Sequence, residues 1–359
     1  MNRQSSRRVF MAAIALVLTL GVAAPGLAAQ EGSPAPGGNR FTPEEVAVAT
    51  GTHSVVPLYA VPKQLKKKYL LAFLNPGKSI PFFQDWSDAM KAAAAFYGVD
   101  FIETDLQLKY EDTVTQYETI SVRNPDVVGT LTTAGPALKA QTDAAGIPLI
   151  PIDIPIEGNP YFLGIPNEKA GQLGGQLVAE AAKEKLAGEW QGRNLVYVGL
   201  GESTCEPCTI RVQEGLKAAR QVLDIPDGNV VMLDTQGQVD PALTVVTDTL
   251  TARPNDVMIM VALNDECGVG ALQAVKAANR QKDVLIVTLG ADRLGRDNLR
   301  ADTDNVLVSM VDFNPWAEGW NWVEAAIAVA EGETYQPYDI TRIITRENVD
   351  QYFPDDKNT

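Results

Sequence analysis

The chain has 359 residues, of which 45% are hydrophobic and 21% charged, and its formal net charge is -15. That length can bury the cores of two domains, and the acidity excludes a nucleic-acid partner, because phosphate binding needs a basic face. The one histidine, His53, excludes Ser-His-Asp and Cys-His catalysis and His-based zinc sites, all of which need a positioned imidazole.

The N-terminus, MNRQSSRRVFMAAIALVLTLGVAAPGLAAQ, has a basic start, an apolar run from Val9 to Val22 and small residues at Ala28 and Ala29. It reads as an export signal over 1–29, too short and wrongly flanked for a stable membrane span. SRRVFM (Ser6–Met11) fits a twin-arginine signal, and an ordinary secretory signal carrying Arg7-Arg8 fits as well. No Cys follows the apolar run, which argues against a lipid anchor. Removing 1–29 takes away Arg3, Arg7 and Arg8 and no acid, so the mature charge becomes -18. Residues 30–66 are rich in Pro, Gly, Ser and Thr and read as a flexible leader. Lys66-Lys67-Lys68 at its end reads as a solvated strand flank.

From Tyr69 onward, short apolar runs alternate with helical patterns. The strand runs are YLLAFLN, VDFIETD, DVVGTLT and IPLIPID, then NLVYVGL, NVVMLDT, DVMIMVAL, VLIVTLG and VLVSMVD. Helical patterns between them include Phe82–Tyr97, Glu168–Leu186, Arg211–Leu223 and Cys267–Arg280. The strand runs are continuously apolar, so both faces are covered. Alternation of strand and helix gives parallel sheets with right-handed crossovers. Nine strands suit two doubly wound, Rossmann-like α/β sheets better than one.

Ligands in such sheets bind beyond the carboxyl ends of the strands. The residues at those ends are Asn75, Asp105, Thr132, Asp153, Asp234, Asn264 and Asp312. Each can touch a ligand or cap the next helix. Asn264-Asp265-Glu266 is richer than a cap requires: one residue can cap the following helix, and two polar groups remain.

VALNDECGVGAL (Val261–Leu272), SIPFFQDWSDAMKAAAAFYGVDF, IPLIPID, IPNEKAGQLGGQLVAE and RVQEGLKAA occur in the order found in the ribose-binding type of periplasmic solute-binding proteins. The chain resembles that family over about Lys67–Val349. The resemblance implies two domains of like topology joined by crossing hinge strands. The first would be 67–166 plus 313–331, and the second 167–312 plus 332–359. A sugar or polyol would close between them. It also implies delivery to the membrane permease of an ABC transporter, a periplasmic or other extracytoplasmic location, a monomer, no cofactor and no catalysis. By family position Phe82, Phe83 and Trp86 would take the apolar face of a sugar. Asp153, Arg211, Asn264, Asp292 and Asp312 would take its hydroxyls, Arg supplying donors and Asp acceptors. In this scheme Asn264 is the ligand amide, and Asp265 or Glu266 caps the helix or faces the rim.

The pattern departs from the ribose binders in four places. Ser79-Ile80 stand before Pro81, Ile154 follows Asp153, TLGAD holds Asp292 later than usual, and Arg211 stands four residues before Gly215. A ribose site is therefore not implied. Two other functions use the same residues. A carboxylate-based glycosidase could pair Asp265 with Asp153 or Asp292, and a sugar-loaded form could dock on a chemoreceptor or sensor kinase.

Cys205 and Cys208 have C-x-x-C spacing between a strand and a helix. An exported protein favours a local disulfide there, with redox catalysis and free thiols as the other readings. Cys267 reads as a buried small residue at a helix start. No metal site is expected, since four ligands are not assembled.

Overall fold

The computed structural model describes residues 39–336 and 341–358; the expected signal 1–29 and residues 30–38 of the expected leader lie outside them. After α1 (Pro43–Thr50), the first half runs β1 (Leu70–Asn75), α2 (Pro81–Tyr97), β2 (Asp100–Asp105), α3 (Thr113–Ser121), β3 (Val127–Thr130), α4 (Gly135–Ala145) and β4 (Leu149–Pro151). The second runs α5 (Asn167–Leu186), β5 (Leu195–Gly201), α6 (Glu206–Val222), β6 (Val230–Asp234), α7 (Val239–Ala252), β7 (Val257–Ala262), α8 (Asp265–Ala277), β8 (Val284–Gly290), α9 (Arg293–Ala301) and β9 (Leu307–Asp312). Then follow α10 (Pro315–Glu331), β10 (Arg342–Ile344) and α11 (Val349–Tyr352).

Each of the nine apolar runs carries a strand. They form two α/β sheets, ordered β2-β1-β3-β4 and β6-β5-β7-β8-β9-β10. Strands β3, β5, β7 and β8 are buried at every residue, as expected where helices cover both faces. All pairings are parallel except β10 on β9. Strand β10 carries no signal in the sequence, because three residues, two half-covered and one buried, are too few for a pattern.

Helix α10 follows β9 of the second lobe yet packs in the core of the first, with Trp320, Trp322 and Val323 among Phe73, Trp86 and Met90. Trp322 Nε1 donates to the Ile150 carbonyl at 3.0 Å. Its indole lies so close to β3 that a Cβ at Gly129 would stand 2.3 Å from it, so only glycine fits there. The chain thus passes between lobes after β4, after β9 and after α10.

The strand-end residues have mostly local duties. The side-chain oxygens of Asn75, Asp105, Asp234 and Asp312 accept from the backbone N–H two residues on, at 3.0, 2.9, 3.1 and 2.6 Å, and Thr132 does the same for Ala134 at 3.0 Å. These are side-chain turns that steer the chain off the sheet.

The described part of the expected flexible leader, Asn39–Lys66, is instead a packed strap. Thr42 and Glu45 form a reciprocal capping box at the start of α1, which nucleates a helix even in a Pro- and Thr-rich stretch. Val46, Tyr59 and Val61 are buried. The Leu58 and Tyr59 N–H groups donate to Glu324 Oε2 at 2.7 and 3.1 Å. Glu324 Oε1 receives Tyr97 Oη at 2.6 Å and Trp320 Nε1 at 3.0 Å. Composition indicated disorder; a capping box and one buried carboxylate decide otherwise. Removing that carboxylate takes an acceptor from four donors, of which Leu58 N–H keeps Asn321 Oδ1 and Trp320 Nε1 keeps Tyr97 Oη. Glu324→Ala should cost on the order of 2–4 kcal/mol in urea unfolding and open the strap to limited proteolysis. An unchanged midpoint with strap cleavage no faster than in the parent would refute this anchoring role.

His53 stacks on Trp316 with ring centroids 3.9 Å apart, and Thr52 Oγ1 donates to Asp355 of the C-terminal tail. Together with Asp85, Arg296 and Asp356 they line a 50 Å³ cleft. Asp85 is partly exposed, yet its carboxyl sits deep in this cleft, and desolvation raises its pKa from 3.8 to about 7 against the pull of Arg296. A carboxyl whose folded pKa is raised loses stability as pH climbs from its unfolded pKa through its folded one. Asp85→Asn should therefore match the parent below about pH 4 and exceed it by about 1–2 kcal/mol above pH 7. Equal unfolding free energies across that range would sink the assignment.

Candidate ligand-binding site

Loops at the carboxyl ends of all nine parallel-paired strands converge on one cavity of 510 Å³. After β1 come Ile80, Phe82 and Phe83; after β2, Leu108, Tyr110 and Glu111; after β3, Leu131, Thr133 and Ala134; after β4, Asp153 and Ile154. The second sheet adds Glu202, Thr204, Cys208 and Arg211 after β5, Gln236–Gln238 after β6, and Leu263–Glu266 after β7. Gly290 and Asp292 follow β8 and Phe313 follows β9. In both sheets the strand order reverses beside the first strand, and the open crevice forms at that reversal.

Six of the eight sequence-predicted binding residues line this cavity: Phe82, Phe83, Asp153, Arg211, Asn264 and Asp292. Trp86 does not. It is fully buried behind the wall, 5.1 Å from Phe82 and 5.2 Å from Phe83 by ring centroid, and donates to Glu318 Oε2 at 3.0 Å. Its place one helical turn along α2 makes it the backing of the phenylalanines, not their neighbour in the cavity. Asp312 does not line the cavity either. It is fully buried and held by Arg342 of β10, at 2.7 Å from Nε and 2.5 Å from Nη2. That partner comes from the strand without a sequence signal.

Arg211 reaches the cavity through close helix packing. A Cβ at Gly171 would stand 2.1 Å from the Arg211 carbonyl oxygen, and one at Gly175 2.0 Å from that of Gly215. The glycines of AGQLGG thus let α5 lie directly against α6. Arg211 Nε then donates to Asn167 Oδ1 at 2.6 Å and Nη1 to the Leu263 carbonyl at 3.0 Å. The guanidinium carbon sits 4.9 Å from the Phe313 ring centre, so the cation is braced on three sides.

Asp153 has φ 56° and is 1% exposed. Its pKa rises to about 6, driven by burial and opposed by Arg211 and by Glu318. Burial and Asp153 push Glu318 well above the ordinary range. Two buried carboxyls side by side disfavour a second negative charge, and both shift upward for that reason. Glu318 stands in the first turn of α10, where an acid is commonplace, and carries no sequence signal of this role.

The trio after β7 divides differently from the expectation. Asn264 is the helix cap: its Oδ1 accepts from the Cys267 N–H at 3.0 Å, and its Nδ2 donates to the Gly237 carbonyl at 2.9 Å. Asp265 and Glu266 are the residues turned inward, 1% and 8% exposed. Asp265 accepts from Thr288 Oγ1 at 2.5 Å and from the Asp292 N–H at 2.7 Å. Asp292 caps α9 through Oδ1, which accepts from Gly295 at 2.8 Å. Burial and mutual repulsion raise the pKa of Asp265 and Glu266, and burial raises that of Asp292. Cys205 and Cys208 are joined by a disulfide at the start of α6, and Cys267 is a buried thiol beside Thr235.

Because Asn264 both caps α8 and ties it to Gly237, Asn264→Ala should lower unliganded stability by about 1–2 kcal/mol. Urea unfolding without ligand measures this, and a midpoint equal to the parent's would remove the capping role.

A family model described as a periplasmic binding protein domain matches residues 71–334. The ribose import binding protein RbsB of Haemophilus influenzae is 26% identical over 264 residues, which is 70% of this chain and 82% of that protein. Among solved structures, a solute-binding protein of Bacillus halodurans with bound myo-inositol aligns with a TM-score of 0.68 at 21% identity, covering 79% of this chain and 97% of that one. One from Actinobacillus succinogenes with bound D-allose gives 0.68 at 20% identity, covering 79% and 100%. A Mycobacterium smegmatis structure with β-D-fucofuranose gives 0.68 at 21%, covering 81% and 95%. The family model spans most of the chain and both sheets, and the chain belongs to the periplasmic binding protein domain family.

Proposed function

We propose that this protein captures a sugar or polyol in the cavity between its lobes and delivers it to the membrane permease of an ABC transporter. The observation that carries the reading is a single 510 Å³ cavity, drawn from both lobes, with an aromatic wall opposite polar side chains. Phe82 and Phe83 stand nearly perpendicular, with centroids 5.7 Å apart, and present ring surface to the C–H face of a sugar. Asp153, Arg211, Asp265, Glu266 and Asp292 offer donors and acceptors to its hydroxyls. Of the related proteins named above, one is a ribose import binding protein and two are ABC transporter solute-binding proteins, and the solved cases hold sugars or a cyclitol. The expected export signal supports work outside the cytoplasm, and a one-chain cavity supports a monomer.

The glycosidase alternative is weaker. It relied on Asp265, and both oxygens of that carboxylate are already engaged by Thr288 and the Asp292 N–H. The relatives are transport binding proteins, not enzymes.

Isothermal titration of the mature protein with aldoses and cyclitols should give saturable one-to-one binding to at least one of them. Phe83→Ala should weaken that binding about tenfold or more, or ~1.4 kcal/mol. Failure of every sugar and polyol to bind would overturn the proposal.

A further inference from the structure

The cavity carries more apolar surface than the two phenylalanines supply. The loop after β1 brings Ile80, Phe82 and Phe83 to it and no polar side chain, and the loop after β2 adds Leu108. Phe82 and Phe83 also pack against the buried cores. Ile80 and Leu108 belong to none of the three hydrophobic cores, yet both are half-buried and both line the cavity. Most of the polar lining comes from the opposite lobe, Arg211, Asp265 and Asp292 among it.

Both aliphatic residues stand against the preference of their backbone. Gln107 and Leu108 have φ 53° and 64°, the left-handed region that residues other than Gly, Asn and Asp rarely adopt. The Leu108 N–H donates to the Pro76 carbonyl at 2.7 Å. Its side chain lies against Gly77, where a Cβ would stand 2.7 Å from Leu108 Cδ2. The loops after β1 and β2 are thereby held together, with Leu108 fixed in the wall. A residue kept in such a conformation by its surroundings points to a ligand site. Ile80 is the N-cap of α2 and makes no capping bond, although Ser, Thr, Asp or Asn is favoured there. At each position the backbone favours a polar side chain, and at each the chain sets an aliphatic one on the cavity. Local rules broken together at one wall mark a functional constraint.

We propose that Ile80 and Leu108, together with Phe82 and Phe83, form a subsite for an apolar substituent, and that the cargo is a sugar bearing one: a methyl group in place of a hydroxymethyl, or an alkyl or aryl aglycone. The inference rests on the sugar-receptor reading and names the substrate class within it. An unsubstituted hexose has a C–H face, which the phenylalanines take, and an edge of hydroxyls. A hydroxyl turned to Ile80 or Leu108 gives up its bonds to water and receives none in return. A methyl or aryl group at the same place gains by leaving water. The polar lobe holds the ring hydroxyls, and the aliphatic pair selects what the ring carries.

The test is calorimetry of the mature protein with matched pairs: D-quinovose against D-glucose, D-fucose against D-galactose, L-rhamnose against L-mannose, and phenyl glucoside against D-glucose. At least one substituted sugar should bind about tenfold or more tighter than its hydroxyl parent. Leu108→Asn and Ile80→Thr should each lower that ratio towards one. Asn accepts the left-handed backbone and Thr can cap α2, so both variants suit the fold locally. Their urea midpoints should be no lower than the parent's, which separates lost selectivity from lost structure. Hydroxyl sugars binding as well as or better than every substituted partner would overturn the subsite and leave the sugar-receptor reading intact. An affinity ratio unchanged in both variants would remove Ile80 and Leu108 from the subsite and overturn the assignment. Phenol binding in preference to every sugar would keep the apolar subsite and overturn the sugar reading. No binding by any of them would overturn both.

Discussion

A parallel sheet covered on both faces leaves one place for polar side chains that must meet a ligand, and that is its carboxyl edge. The covering helices occupy the faces, and the ladder of N–H and C=O groups is satisfied within the sheet. This chain builds two such sheets and turns both carboxyl edges into one cavity. Every other feature of the site follows from that constraint. Turn residues such as Asp105 and Asp234 bend each loop off its strand. The residues that follow them are then free to point at what lies between the lobes.

Placing many carboxylates in one buried space has a consequence in protons. Coulomb repulsion and lost hydration both disfavour charge. Asp153 and Glu318 answer with pKa values shifted upward, close to Arg211. Burial raises Glu266 and Asp292 likewise, and among the described residues no basic side chain stands beside them in the cavity lining. The two ends of the cavity are thus chemically unlike, one carrying the Arg211 guanidinium and the other lined by carboxyl groups.

Helix α10 and the strap hold the first lobe together around Glu324. Four donors from three segments meet on its carboxylate. The strap also touches the start of α10 and the C-terminal tail through His53 and Thr52. A segment whose composition resembles a tether therefore contributes to the wall of the structure. A capping box, Thr42 with Glu45, was the local sign of this, and it outweighs the surrounding proline and glycine once the buried Val46 is included.

The sequence by itself determined the nine strands, their parallel arrangement and the six residues from Phe82 to Asp292 that line the cavity. The strands depend on runs of apolar residues and Asp153 and Asn264 on a polar residue at the end of such a run, both of which are local; Phe82, Phe83, Arg211 and Asp292 were implied by the resemblance to the ribose-binding type of solute-binding proteins. It also determined that Asn264, Asp265 and Glu266 are more than one helix cap requires. Only the tertiary structure decided how that trio divides, because the partners Gly237, Thr288 and Asp292 lie on three other loops. It alone placed Trp86 behind the aromatic wall, bound Asp312 to Arg342 of an unsignalled strand, and brought Glu318 from another segment to Asp153. Each of those outcomes turns on two residues far apart in the chain and close in space, and no pattern along a single segment encodes that distance.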